Sequence, residues 1–171
     1  ITIPSSVKEI GSNAFKECIE LESIVLPDGL STLGYRAFYD CIKLKSIVIP
    51  SGVARIESGV FYNCEQLSSI TIPSTVSEIG EEVFFNCVSL KTVTLPDSLT
   101  EIQDDAFSGC TSLEKLHIPE SVTNLGVRPF AYCTNLTELT VVKGNGYLVM
   151  DRKGVLYEKY NGRTELIFGA T

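Results

Sequence analysis

The chain has 171 residues, of which 14 are basic and 21 acidic, giving a net charge of −7, and 44% are hydrophobic. This acidic balance argues against nucleic acid as a partner, because binding a phosphate backbone needs a basic face. The apolar content is sufficient for a packed core. No run of 18 apolar residues is present, so we expect no membrane insertion.

A unit of 23 residues recurs along most of the chain, and its first full copy runs from Pro4 to Pro27. Repeats of this length are single structural units that complete their core by stacking on their neighbours. The chain opens in the middle of a copy, which predicts a fragment of a longer protein, so the lack of a signal peptide in it indicates nothing about its location. Four residue types return at steps of 23: Pro4, Pro27, Pro50, Pro73, Pro96 and Pro119; Phe15, Phe38, Phe61, Phe84, Phe107 and Phe130; Cys18, Cys41, Cys64, Cys87, Cys110 and Cys133; Leu21, Leu44, Leu67, Leu90, Leu113 and Leu136.

The first part of each copy predicts a half-buried strand. Ile24 and Leu26 alternate with polar or outward positions, which is the period of a strand with one buried face. Strands one repeat apart run in the same direction, so we expect a parallel sheet with a spacing of about 4.8 Å. Ile1 and Ile3 predict a further strand at the front.

The second part of each copy returns along the far side of the coil. The proline ends the strand without leaving a donor unpaired. Val7 and Ile10, with their copies, predict a second extended piece, and Gly11 predicts a corner. Phe15 and Cys18 share the spacing of one helical turn, for which Ser12, Ser58 and Asp104 are candidate caps.

The repeat ends after Val141, and the last residues follow another pattern. We assign 1–143 to a solenoid and 144–171 to a C-terminal β-hairpin or meander that covers the last coil. The strands are expected at 147–151, 155–160 and 165–168, with turns at 152–154 and at Asn161-Gly162, a strong hairpin signal. Terminal covers of this kind keep solenoids soluble.

The pattern L-x-x-I-x-I-P, V-x-x-I-G and A-F-x-x-C resembles the BspA-like leucine-rich repeats over roughly residues 1–141. The resemblance implies a leucine-rich-repeat solenoid with a parallel sheet on one face and short helical turns and irregular segments on the other. It implies an extracellular or cell-surface protein of a host-associated bacterium, and adhesion to host proteins, including matrix proteins, for some members. It carries over no catalytic residue. Pro129, in the alanine column, departs from the family pattern.

The cysteine column predicts buried, reduced thiols rather than disulfides. Neighbouring Cα atoms about 5 Å apart fall within the disulfide range, but parallel Cβ vectors do not suit a bridge, which needs Cβ atoms about 3.8 Å apart. A buried free cysteine acts as a small apolar group. A zinc site is not favoured, because Cys-x-x-Cys is absent and the single histidine, His117, lies at an outward strand position. We expect no cofactor, metal or catalytic group.

Two further clusters have competing interpretations. Glu78, Glu81, Glu82, Glu101, Asp104 and Asp105 stack in adjacent repeats. A solvated acidic rim is favoured for them over a calcium site, which needs six to eight oxygens around one point. Tyr39, Tyr62 and Phe85 share a column that either shields the turn beneath, which we favour, or forms a partner site.

The outward strand positions indicate the function. We expect a non-catalytic module for protein interaction or adhesion, with a structural spacer as the alternative and a hydrolase as the weaker third. Side chains at the front of this face are mostly Ser, Thr and Val, whereas the last repeats carry both charge signs and the histidine. The sequence therefore predicts a partner site at Thr94, Lys115, His117, Glu138 and Thr140.

Overall fold

The computed structural model describes residues 1–141, 148–150, 156–160 and 163–168, with side chains over residues 1–141. No helix lies among the described residues, so none there is long and apolar enough to cross a membrane. In chain order the described strands are β1 Glu9–Ile10, β2 Thr32–Leu33, β3 Ser46–Val48, β4 Arg55–Ile56, β5 Ser69–Thr71, β6 Glu78–Ile79, β7 Thr92–Thr94, β8 Glu101–Ile102, β9 Lys115–Ile118, β10 Asn124–Leu125, β11 Glu138–Val141, β12 Leu148–Met150, β13 Leu156–Tyr160 and β14 Arg163–Phe168.

The first part of each repeat forms one long parallel sheet. Its order is β11-β9-β7-β5-β3, and each residue pairs with its copy one repeat on, as Ile47 does with Ile70. The predicted solenoid with a parallel sheet is therefore confirmed. Two single bridges continue the sheet over the first coils, Thr2 to Val25 and Ser23 to Ser46. The strand expected at the front is therefore reduced to the bridge between Thr2 and Val25.

The second extended piece of each repeat forms shorter parallel sheets, with β10-β8-β6-β4 in one and β1-β2 in another. Each of these two-residue strands buries its isoleucine or leucine, and Ile56 pairs with Ile79 one repeat on. A bend at the proline separates the two strands of a coil, where the Val53 N–H donates to the Pro50 carbonyl at 3.1 Å. This confirms the predicted second extended piece.

The core lies between the long sheet, the short sheets and the phenylalanine column. Phe38, Phe61, Phe84 and Phe107 have no exposed surface. Neighbouring rings of the column stack with centroids 5.0–6.0 Å apart. The first ring, Phe15, is only partly buried, because it has a neighbouring coil on one side. Every inner coil therefore buries its ring against two copies of itself.

The segment around each phenylalanine is a series of tight turns, and the expected helical turn is wrong. N–H groups alternate between two acceptors along this segment. Those of Ala14, Lys16 and Cys18 bond three residues back, whereas those of Asn13, Phe15 and Glu17 bond to carbonyls of the next coil at 2.7–2.9 Å. Half of the donors thus link successive coils, which no α-helix permits because its donors bond within the helix.

Residues with positive φ angles lie near both ends of this segment. Their φ angles lie between 50° and 79° and fall in two columns. Most of these residues are not glycine, although this region of φ is costly for them. The expected helix caps at Ser12, Ser58 and Asp104 have no helix to cap. The columns are Asn13, Arg36, Gly59, Glu82, Asp105 and Arg128, and Glu17, Asp40, Asn63, Asn86, Gly109 and Tyr132.

The cysteine column adds a second link between coils. From Cys41 onward each thiol is buried, as predicted, and donates from Sγ to the carbonyl of the phenylalanine of the preceding coil at 3.1–3.2 Å, as Cys64 does to Phe38. Cys18 is half-buried in the first coil. The thiols therefore act as hydrogen-bond donors in the core as well as apolar filling.

Three glycines of the glycine column serve close packing of coils rather than a special φ, although Glu57 and Gln103 occupy the same column. None of Gly34, Gly80 and Gly126 has a positive φ, but a Cβ on Gly80 would lie 2.8 Å from the backbone nitrogen of Ser58 in the preceding coil. Distances this short between Cβ and backbone atoms force a shift. At these three positions glycine therefore allows the backbones of neighbouring coils to approach closely.

The last strands form a three-stranded antiparallel sheet in the order β12-β13-β14. Tyr160 pairs with Arg163 across a two-residue connection, as the hairpin signal predicts. The predicted turns at 152–154 and 161–162, and the boundary at 143, lie outside the described residues. A capping role for this sheet stays a prediction.

Truncating an inner ring of the phenylalanine column should destabilise the fold strongly. Phe61→Ala or Phe84→Ala leaves a cavity closed by coils on both sides, so we expect the free energy of unfolding to fall by about 3–5 kcal/mol. Urea denaturation followed by circular dichroism measures this. Phe15→Ala is the matched control and should cost less, because Phe15 is only partly buried. A loss below about 1 kcal/mol for Phe61→Ala contradicts the stacked core.

The thiols should resist labelling in the folded protein. Burial raises the pKa of Cys41 and Cys133 to about 12 and holds that of Cys87 well above its ordinary value, so the reactive thiolate is scarce. At about pH 8 a thiol reagent should label these cysteines slowly in the native state, Cys18 fastest, and all six quickly in urea. Fewer than six free thiols in an unreduced, denatured sample would show that a disulfide is present.

The same thiols should make stability fall at alkaline pH. An unfolded cysteine ionises near pH 8.5, whereas the folded thiols keep their protons up to about pH 12. Because the folded pKa is the higher one, the contribution is complete below about pH 8.5 and is lost as pH rises towards 12. Urea denaturation between pH 8 and pH 11 measures this fall in the free energy of unfolding. Cys87→Ala should make the fall with rising pH less steep. An unchanged slope in that variant contradicts the assignment.

Candidate functional site

The outward side chains of the long sheet form the surface that the repeat leaves free to vary. We call this surface the sheet face. Its residues alternate with buried positions along each strand, so they project into solvent. All are exposed except Thr140, which is half-buried. The sheet face consists of two columns: Thr2, Val25, Val48, Thr71, Thr94, His117 and Thr140, and Ser23, Ser46, Ser69, Thr92, Lys115 and Glu138.

The structure brings the five predicted site residues together at the end of the sheet face. β9 and β11 pair Lys115 with Glu138 and His117 with Thr140 in direct register. Lys115 Nζ lies 2.6 Å from a carboxylate oxygen of Glu138, and Nδ1 of His117 contacts the hydroxyl of Thr140. Thr94, exposed on β7, precedes His117 in the same column. The five residues therefore span three adjacent strands.

The Lys115–Glu138 pair sets the electrostatics of this end. A hydrogen bond and the charge of Glu138 raise the pKa of Lys115. The same hydrogen bond and the charge of Lys115 lower the pKa of Glu138, with a smaller effect from His117. The pair is exposed to solvent, so it contributes little to stability. It is instead a fixed arrangement of two opposite charges that a partner can contact.

The front of the sheet face differs in chemistry. Val25 and Val48 are 62% and 67% exposed. Beside them, Lys43 pairs with Glu20 and Lys45 with Glu22, both at 2.8 Å between neighbouring coils. This end offers apolar contacts bordered by paired charges, whereas the other end offers polar donors and acceptors.

Several carboxylates of the acidic rim form ion pairs or hydrogen bonds within the chain. Arg55 pairs with Glu78 at 3.0 Å, Arg128 pairs with Asp105 at 2.8 Å, and Asp104 accepts from a backbone N–H at 2.7 Å. A groove of about 260 Å³ runs between Glu101 and Asp104, but no group of three potential metal ligands lies together in the described part of the chain. These contacts favour the solvated rim over a calcium site.

The residues on the outside of the tight turns form a second surface, the turn face. It comprises Tyr35, Arg36 and Tyr39 with their copies at 23-residue steps. The rings of Tyr39, Tyr62 and Phe85 are half-buried and stack with centroids 4.4 and 4.8 Å apart. Because each ring face covers the next, only the ring edges reach solvent, which fits the predicted shielding role.

Sequence reasoning missed Arg36. Its guanidinium carbon lies 4.8 Å from the Tyr35 ring centroid and 4.9 Å from that of Tyr39. The sequence does contain a signal for positive φ in these two columns, because asparagine and glycine are typical of it. The residues are Asn13, Asn63, Asn86 and two glycines. Arg36, Glu82 and Asp105 in the same columns obscured it.

A groove of about 620 Å³ lies beside the first coil, between Ile1, Cys18 and Ile19. Its lining includes Cys18, whose copies in the later coils are buried. We therefore assign this groove to surface that stacking covers at the equivalent position of later coils, and not to a ligand site.

With this geometry in place, comparisons with known proteins decide the family. The family profile described as BspA type leucine rich repeat region matches residues 1–110 and 55–148, with six copies. The chain belongs to the BspA-type leucine-rich repeat family. A comparison with curated proteins finds no significant match.

Solved structures of bacterial leucine-rich repeat proteins share the BspA-type fold. A leucine rich cell surface protein from Faecalibacterium prausnitzii A2-165 is 33% identical, with a TM-score of 0.73 over 97% of this chain and 53% of that protein. A leucine-rich repeat protein from Bacteroides ovatus ATCC 8483 is 35% identical, with a TM-score of 0.74 over 81% of this chain and 36% of its own. The chain thus spans about half the length of the first and about a third of the second.

A third relative is the pneumococcal vaccine antigen PcpA. It is 27% identical, with a TM-score of 0.64 over 92% of this chain and 44% of that protein. These similarities extend the BspA-type assignment from the sequence pattern to the three-dimensional stack of coils.

Proposed function

We propose that this BspA-type chain is a non-catalytic, extracellular or cell-surface module that binds a protein partner, with host matrix proteins as the candidate class. The observation that carries the proposal is the sheet face: an extended row of exposed side chains on a rigid stack, which is how solenoids bind. The similar cell surface protein of Faecalibacterium prausnitzii and the pneumococcal vaccine antigen support the location.

We place the partner site at Thr94, Lys115, His117, Glu138 and Thr140. Three neighbouring strands hold these side chains together, and the backbone register fixes their order. The site mixes a cation, an anion, an imidazole and hydroxyl groups, so it can offer a partner several polar contacts of different kinds. The front of the same face, with Val25 and Val48 exposed, can add apolar contact area.

Catalysis is a weaker explanation of the same residues. The His117–Thr140 contact resembles a base beside a hydroxyl, but both groups lie on an open sheet where water weakens every electrostatic interaction. A working hydroxyl nucleophile also needs an enclosed site with donors for the developing oxyanion. A flat exposed surface fits recognition of a macromolecule better than it fits a reaction.

Reversing or removing charge at the site should weaken binding without affecting folding. In a binding assay against a panel of purified extracellular matrix proteins, Lys115→Glu and His117→Ala should each lower the affinity for a bound partner about tenfold or more. Circular dichroism and thermal melts should match those of the unmodified chain, because both side chains are exposed.

Two control variants show whether the partner binds the sheet face or the acidic rim, and whether the direction of the ion pair matters. Glu101→Ala alters the acidic rim and should leave binding unchanged. The double variant Lys115→Glu with Glu138→Lys keeps an ion pair at the same place with its two charges exchanged. We expect this variant to form the ion pair but to bind the partner weakly, because the partner meets each charge at the wrong position. If only Glu101→Ala weakens the interaction, the partner site lies on the rim. If no partner binds, the spacer alternative is favoured.

A further inference from the structure

The turn face carries a cation without a partner. The side chain of Arg36 makes no hydrogen bond and no ion pair among the described residues, and its Nε is buried without an acceptor. Its guanidinium rests against the rings of Tyr35 and Tyr39, and Tyr35 is 43% exposed. An arginine held by aromatic rings keeps N–H groups directed outwards, and this combination is enriched where proteins bind each other.

Two coils further on, the same face carries acids without a partner. The carboxylates of Glu81 and Glu82 accept no hydrogen bond and form no ion pair in the described part of the chain. Burial raises the pKa of Glu82, the charges of Glu81 and Asp105 raise it further, and Arg36 opposes them. The carboxylate of Glu82 therefore lies in a locally unfavourable, negative environment that a further cation would relieve.

One coil of the stack lies midway between the coil of Arg36 and the coil of Glu82. Gly59 lies between Arg36 and Glu82 in their column, and the Cγ atom of Arg36 lies 2.9 Å from the position of a Cβ on Gly59. In the ring column, Tyr62 lies between Tyr39 and Phe85. A half-turn about an axis through this coil exchanges a cation for an anion and an aromatic ring for an aromatic ring.

We propose that the turn face binds a second copy of this chain in antiparallel orientation. The two-fold axis passes through the coil of Gly59 and Tyr62, so Arg36 of each copy meets Glu82 of the other. Such an isologous contact forms every pair twice. The aromatic edges lie at its centre, where the interfaces of proteins concentrate their binding energy.

Other arrangements fit these observations less well. In a parallel arrangement of the two copies, Arg36 would face Arg36 and Glu82 would face Glu82, which is repulsive. An acidic partner of another kind would satisfy Arg36 but leave Glu82 unpaired. A basic partner would satisfy Glu82 but leave Arg36 unpaired. An antiparallel second copy pairs Arg36 and Glu82 at the same time.

The fold tolerates the substitutions that test this proposal. Glu82 and Arg128 already occupy the positive-φ column that contains Arg36. Arginine and glutamate therefore both adopt the required backbone at copies of the same position. Arg36→Glu and Glu82→Arg should fold normally, which circular dichroism and thermal melts verify.

The decisive experiment mixes two variants. In sedimentation velocity the 171-residue chain should show a monomer–dimer equilibrium with a Kd between about 1 µM and 1 mM. Arg36→Glu alone and Glu82→Arg alone should each dimerise at least tenfold more weakly, because each creates two like-charge contacts. An equimolar mixture of the two variants should dimerise as well as the unmodified chain, since in the heterodimer both pairs have opposite signs.

This mixture separates contact between copies from contact within one chain. If Arg36 served only to neutralise Glu82 of its own coil stack, mixing two defective variants would restore nothing. Lys91→Glu and Glu120→Arg, mixed in the same way, are the controls, because both positions lie away from the turn face, and they should change nothing. A chain that stays monomeric at about 1 mM, or a mixture that stays as weak as its components, overturns the proposal.

Discussion

The structure depends on one constraint: each coil must present the same kind of group as the previous coil at the same place, about 5 Å away. Phenylalanine rings then stack on rings, thiols reach carbonyls, and half of the turn N–H groups bond to the next coil. A change at one position therefore affects two interfaces. The strict 23-residue period is consistent with this, because a residue inserted within the columns would displace that coil's groups from the copies in both neighbouring coils.

This constraint explains which parts of the fold could be predicted. A column of identical apolar residues identifies a buried ladder, so the sheet, the core and the second extended piece follow from the sequence. The turn does not, because the spacing of Phe15 and Cys18 fits one turn of a helix and also fits consecutive tight turns. The deciding property is the sign of φ, and mixed residues such as Arg36, Glu82 and Asp105 hide it. The glycine column is similar, since its role depends on the distance to the neighbouring coil.

The position of the candidate site could be predicted from the sequence to the same extent as the fold. The alternation of Lys115, Leu116, His117 and Ile118 places Lys115 and His117 outside, and the period places Glu138 and Thr140 beside them. The side-chain conformations then determine which charged groups form ion pairs. Lys115 reaches Glu138, whereas Arg36 folds onto Tyr35 and Tyr39 and pairs with no carboxylate of the described residues. A column pattern shows which residues are neighbours, and only side-chain conformation shows which of them interact.

Because stacking fixes the inside of each coil, the outer columns are where coils can differ. They differ on two faces that share no residue: the sheet face changes from valine and serine to Lys115 and His117, and the turn face changes from Arg36 to Glu82. Association through the turn face would therefore leave both sheet faces open. A dimer would present two partner sites on one rigid body, and two linked sites can bind a multivalent surface far more tightly than either site alone. Weak contacts at each sheet face would then be sufficient for attachment, in keeping with a site built of exposed polar groups instead of a deep pocket.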